Sequence, residues 1–159
     1  TSRGTSTEAV YIFHNMLKRL LQQYKPEYIA AVFESMGPTF RDQEFAEYKA
    51  NRTETPPDLL EQIPLCRRCL EALKIPVLMA DGYEADDLIG TLAKRGVGAG
   101  ADVVIVSSDK DMLQLVNERV VMLNPMKDDT IYDVAKTTEF MGVPPGQVAD
   151  LLPIKGESV

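Results

Sequence analysis

Cysteine and histidine are scarce: two cysteines and one histidine occur in 159 residues. Two cysteines are too few for a disulfide framework, and Cys66-Arg67-Arg68-Cys69 has the spacing of only half a zinc site with no second pair. They read as helical core positions, not as metal ligands or a redox pair. His14 lies in an apolar helical run with no nucleophile pattern beside it and reads as structural. No apolar run approaches the ~20 residues needed to cross a bilayer. No basic-then-apolar start resembles a signal peptide, so a cytoplasmic location is expected. There is no G-x-x-x-x-G-K-S/T loop, and the glycines between 96 and 100 follow a helical run instead of opening one. That excludes a P-loop ATPase. The sequence has no internal repeat and no low-complexity tract, and its methionines are scattered as core filler.

Basic charge is also short, with 17 Lys and Arg against 24 Asp and Glu, a net charge of −7. A negative total argues against a nucleic-acid partner. The argument weakens if the excess acid is gathered where bound cations would cancel it. What is present otherwise is ordinary for a soluble globular domain: 45% hydrophobic and 26% charged residues, enough length for one core.

Thr5-Ser6-Thr7-Glu8 offers a capping box, followed by a helical run to about Tyr24 with Val10, Phe13, Leu17, Leu20 and Leu21 on one face. Lys25-Pro26 stops it. The runs 28–33 (YIAAVF), 76–80 (PVLMA) and 102–106 (DVVIV) read as buried parallel strands, with a fourth at 119–123 and a short fifth within 128–132. Helices are expected at 58–73, from the first acidic cluster to about Arg95, through Leu115, at 133–141 and at 145–152. The glycines at 96–100 read as a helix stop. Strands alternating with helices predict an α/β fold with a mostly parallel central sheet flanked by helices. The segment 35–57 differs: it is polar, with one amphipathic piece at 42–48 and with Arg41, Lys49 and Arg52 spread among Phe40, Phe45 and Tyr48. A connection this long predicts a functional loop or lid.

Two acidic clusters, Glu84-Ala85-Asp86-Asp87 and Asp109-Lys110-Asp111, stand directly after strand-like runs, and Glu34 ends the first such run. Singly, each reads as helix-dipole complementation or turn capping. Together, right-handed parallel connections place them on one sheet edge, where ligand sites of open α/β sheets lie. Carboxylates gathered there repel unless a hard divalent ion lies between them, and carboxylate oxygen suits Mg²⁺ or Mn²⁺. Two such ions would activate water and neutralise a leaving oxygen in phosphodiester cleavage. Lys49 and Arg52 are candidates to clamp the phosphate or stabilise its transition state; a solvated basic loop is the alternative.

The segments VFESMGPTFRDQEFAEYKANR (32–52), GYEADDLIGTLAKR (82–95), SSDKDMLQLV (107–116) and DLLPIKGESV (150–159) occur in this order and spacing. The chain closely resembles the 5′–3′ exonuclease domain of bacterial DNA polymerase I, of the flap endonuclease family with its PIN-like fold. The resemblance implies hydrolysis of DNA 5′ flaps and 5′ ends in replication and repair, with Mg²⁺ or Mn²⁺ as cofactor, two ions in all. It places Glu34, Glu84, Asp86, Asp87, Asp109, Asp111 and Glu157 among the metal-binding acids. It sets Arg41, Lys49 and Arg52 in a helical arch at about 35–57 as substrate-binding residues, Lys49 and Arg52 also acting in catalysis. The chain departs from the family at Glu34, where aspartate is common, and at Glu157, where the closing motif usually has aspartate. The family's first strand would precede Thr1 and its helix-three-turn-helix would follow Val159, so residues 1–159 read as the central part of one nuclease domain, incomplete at both ends. The implied partner is DNA with a 5′ flap or 5′ end, with no membrane, and a C-terminal polymerase domain in the same parent chain fits the resemblance. Two alternatives stand beside it: a catalytically impaired fragment that binds nucleic acid or metal, and a single-domain ribonuclease of the same type, which the long loop disfavours.

Overall fold

The computed structural model describes residues 7–35, 37 and 56–155, with side chains described as far as residue 152. It divides into two units, Thr1–Ala85 and Asp86–Val159.

In the first unit, helix α1 (Glu8–Tyr24) turns Leu17 and Leu20 inward, as its apolar spacing requires. Its start departs from the expected capping box. Thr7 is the N-cap and makes no side-chain cap bond. Instead Gln62, 4% exposed, accepts from the Ala9 and Val10 N–H groups at 2.8 and 3.3 Å through Oε1. Its Nε2 donates to the Asp58 carbonyl at 2.9 Å. A residue 53 positions away thus satisfies the orphan donors of the first turn. Gln62 is available because the expected single helix at 58–73 is two, α2 (Pro57–Leu60) and α3 (Ile63–Ala72). Pro64 has no N–H for the Leu60 carbonyl and crowds it, so the ladder breaks there.

Strands β1 (Ala31–Val32) and β2 (Val77–Leu78) pair in parallel, Ala31 opposite Val77. The ladder continues through Ala31 N–H to the Pro76 carbonyl and Phe33 N–H to the Leu78 carbonyl. The apolar run predicts pairing throughout 28–33, yet Tyr28 is 80% exposed and Ile29 and Ala30 are exposed with it. Pro76 has no N–H to extend the ladder backwards, and Lys74 before it takes φ 58° in the turn that closes α3. The core of this unit is Leu17, Leu70 and Ile75, with Phe13, Leu21, Phe33 and Val77 packed against them.

The second unit begins with α4 (Ala85–Gly98), whose first residue closes the first unit. Then come β3 (Val103–Val106), a 3₁₀ turn (Lys110–Leu115), β4 (Val120–Asn124) and β5 (Thr130–Tyr132). Helix α5 (Val134–Met141), a short 3₁₀ turn (Pro145–Gln147) and α6 (Val148–Lys155) complete it. Strand order is β3-β4-β5, with β3 and β4 parallel and β5 antiparallel. The α/β character and the parallel bias are as expected. Among the described residues the pairing lies in two sheets, β1-β2 and β3-β4-β5, one in each unit.

Ile105, Met122 and Tyr132 occupy one face of the second sheet, and the fully buried Leu113 and Val148 close the core over them. The glycines at 96–100 do not stop the helix at Arg95. Helix α4 runs on to Gly98, and a Cβ at Gly96 would stand 3.0 Å from Val103 Cγ2. Gly96 is therefore a close-packing position, and the turn falls at Gly100, where φ is +88°. Arg119 pairs with Asp102 at 2.9 Å and donates to the Gly100 carbonyl, tying the starts of β3 and β4 together.

Candidate functional site

In the first unit the exits of β1 and β2 are tied side chain to side chain. The Ser35 hydroxyl donates to Asp81 Oδ1 at 2.6 Å, each residue lying just past its strand. Glu34 is exposed beside Ser35, and Glu84 is buried at 6% exposure directly before α4. Sequence reasoning misses Asp81, although its place immediately after the PVLMA run is a signal of the same kind as that at Glu34.

In the second unit Asp86 and Asp87 form the first turn of α4, half-buried, where negative charge complements the helix dipole. Thr91 Oγ1 donates to the Asp87 carbonyl at 2.8 Å. Asp86 begins the stripe that continues through Ile89, Gly90, Ala93 and Val97, the face packed on the core. Along this stripe Gly96 meets Val103 at the start of β3, and Gly90 meets Leu115. The first turn of α4 thus points toward the end of the unit from which the chain leaves β3.

That exit is built from two successive side-chain turns. Ser107 Oγ accepts from the Asp109 N–H at 3.0 Å, and Asp109 Oδ1 accepts from the Asp111 N–H at 2.9 Å. These are the local bonds that Ser and Asp make readily. Met112 and Leu113, at 2% and 0% exposure, then anchor the turn in the core. The acids are presented by a rigid, core-anchored loop, with Asp109 exposed and Asp111 half-buried.

The structure therefore places Glu34 and Glu84 after paired strands of the first unit, and Asp86, Asp87, Asp109 and Asp111 at one end of the second. Arg41, Lys49, Arg52 and Glu157, with the amphipathic piece at 42–48, lie outside the described residues. The donor chemistry fits a hard divalent cation, since every candidate ligand is a carboxylate. Among the described residues no group of three or more His, Cys, Asp or Glu stands close enough to hold an ion. His14 is exposed on α1 and belongs to no core, contrary to its structural reading, because it falls outside the Leu17–Leu20 stripe. Cys66 and Cys69 are free thiols on helix α3, as expected, but they are half-buried and not core positions. Burial, and then the neighbouring Cys69, push the Cys66 thiol above its ordinary range.

Residues 1–142 match the family model described as 5′–3′ exonuclease, N-terminal resolvase-like domain. The chain belongs to this family. DNA polymerase I of Chloroflexus aurantiacus is 43% identical over 99% of the chain, and the 5′–3′ exonuclease of Aquifex aeolicus is 39% identical over all of it. The chain spans 17% of the first relative's length and 55% of the second's. Among solved structures, a bacteriophage T5 flap endonuclease in complex with DNA and metal ions superposes with a TM-score of 0.74. It covers 99% of this chain and 61% of its own at 18% identity, so the likeness concerns the fold. Membership of the 5′–3′ exonuclease family and the PIN-like fold of that neighbour agree with the sequence reading. Among the described residues no helix is long and apolar enough to cross a membrane.

Proposed function

We propose that the chain is a divalent-metal-dependent, structure-selective nuclease domain, a 5′–3′ exonuclease and 5′-flap endonuclease that hydrolyses DNA phosphodiesters in replication and repair. The observation that carries this reading is the position of two aspartate pairs at one end of the second unit, Asp86-Asp87 leading α4 and Asp109/Asp111 on the turn after β3. One family model over residues 1–142 reaches into both units, which supports reading 1–159 as parts of a single nuclease domain. A polymerase I relative of which the chain spans 17% supports a polymerase domain in the same parent chain, and a cytoplasmic location goes with this reading.

In this reading Glu34, Glu84, Asp86, Asp87, Asp109, Asp111 and Glu157 hold Mg²⁺ or Mn²⁺. When bound, a pair of such ions lowers the pKa of a water and neutralises the leaving oxygen. The protein supplies position. The Asx bond from Asp109 Oδ1 to the Asp111 N–H fixes the first carboxylate's orientation. Arg41, Lys49 and Arg52 bind the 5′ strand as it reaches the acids, and Lys49 and Arg52 clamp the scissile phosphate through charge-assisted hydrogen bonds.

Incubation of a 5′-labelled flap duplex with the protein tests the reading. In Mg²⁺ the flap is released by cleavage near its junction with the duplex, and EDTA abolishes the cut. An intact flap in Mg²⁺, or cleavage indifferent to EDTA, overturns it. A second reading, a fragment that binds DNA without cutting it, is favoured by the lack of any three-donor cluster among the described residues. An intact flap together with retained DNA binding would select it.

A further inference from the structure

A cleft of about 310 Å³ opens in the second unit next to the Asp109 turn, and its chemistry runs against the acidity of the chain. Lys110 and Lys127 line it, with Asp109 as the carboxylate on its wall, so its local balance is positive in a chain of net charge −7. Ser108 and Asn124 add a hydroxyl and an amide, and Phe140 and Tyr132 form the aromatic side.

The placement of Lys127 is over-determined. Its ammonium stands 5.0 Å from the centroid of the Phe140 ring, within cation–π range. Phe140 is met edge-on by Tyr132 at 5.4 Å and 65°, and Tyr132 is rooted in the core at 4% exposure. The backbone of Lys127 is held at both sides. Asn124 Oδ1, itself buried, accepts from the Met126 N–H at 3.0 Å, and the Lys127 carbonyl accepts from the Thr130 N–H at 2.9 Å. That second bond closes a hairpin turn in which Asp128 and Asp129 take φ of 50° and 54°, and neither lines the cleft. Lys110 comes from the other side, on the 3₁₀ turn between the two proposed metal-binding aspartates.

One ammonium held over a ring, a second lining the same recess and neutral polar groups beside them suit a phosphate group, whose oxygens accept from each ammonium. We infer that the cleft is a phosphodiester subsite for a DNA strand, with Lys110 and Lys127 donating to the phosphate and Phe140 as the residue that positions Lys127. The inference rests on the nuclease reading and extends it to a strand-binding point outside the basic segment at 38–55.

The test is the salt dependence of flap-DNA binding, read by fluorescence anisotropy in Ca²⁺ over a KCl series. Removing one lysine–phosphate pair lowers the slope of log Kd against log[KCl] by roughly 0.7–0.9. Lys110→Ala and Lys127→Ala are each expected to show that reduction and to weaken binding several-fold at low salt, and Lys127→Arg to retain the slope. Phe140→Ala is expected to reduce the slope as well, and Phe140→Tyr to restore it; a merely structural role for the ring would leave the slope unchanged. Unchanged slopes in both lysine variants overturn the inference. So does saturable binding of inorganic phosphate that the lysine variants abolish while the DNA slopes stay unchanged, which would assign the cleft to a free anion. Wild-type cleavage of the flap in Mg²⁺ separates failure of this subsite from failure of the nuclease reading: with cleavage intact and slopes unchanged, only the subsite falls.

Discussion

Asp109→Asn lowers flap cleavage in Mg²⁺ by on the order of a hundredfold or more and leaves the fold intact, because it removes a charge and little else. An asparagine Oδ1 accepts from the Asp111 N–H as the aspartate does now at 2.9 Å, so the turn after β3 keeps its closing bond. The side chain is exposed, and a surface exchange of this kind moves stability by about 0.5 kcal/mol or less. Cleavage and stability should therefore separate: single-turnover rates collapse while the urea midpoint stays put. Equal rates in wild type and variant would remove Asp109 from the site.

Leu113→Ala is expected to have the largest effect on stability. Leu113 is fully buried beneath the acidic turn, in the cluster with Met112, Val120 and Met122. Truncation removes the transfer energy of the side chain and leaves a cavity that rigid neighbours close only in part, a cost of about 2–5 kcal/mol. For a chain of this size that corresponds to a drop in Tm of about 2–4 °C per kcal/mol. Leu113→Met, which conserves volume, should cost less than about 1.5 kcal/mol. Calorimetry of both variants checks the pair, and equal Tm values for Leu113→Ala and wild type would contradict the packing described. Cleavage in Leu113→Ala should fall further than its unfolded fraction explains, because Asp109 and Asp111 ride on the segment that Leu113 anchors.

Much of this is legible in the sequence because it is local. The order of strands and helices and the acids following strand runs depend on neighbours within a few residues. What the sequence hides depends on distant partners. Thr5-Ser6-Thr7-Glu8 reads as a self-sufficient cap, yet Gln62 does that work from across the unit. The run 28–33 is apolar enough for a full strand, but its length is set by its partner, which begins at Pro76. Gly96 reads as a breaker because periodicity cannot show that Val103 lies 3.0 Å from where its Cβ would be. The cleft is invisible for the same reason: Lys110, Lys127 and Phe140 are 17 and 13 positions apart and share no motif. Of the candidate acids, those that follow strand runs are readable by position; Asp81 holds such a position too, but its bond from the Ser35 hydroxyl joins residues 46 positions apart and no local pattern shows it.

The central claim is that these aspartates bind a divalent metal ion, and the most direct test is a Mn²⁺ titration of the protein in which free ion is followed by electron paramagnetic resonance. Saturable uptake by the wild type is predicted, with affinity reduced tenfold or more in both Asp86→Asn and Asp109→Asn. No uptake by the wild type, or the same uptake in all three proteins, would contradict the account.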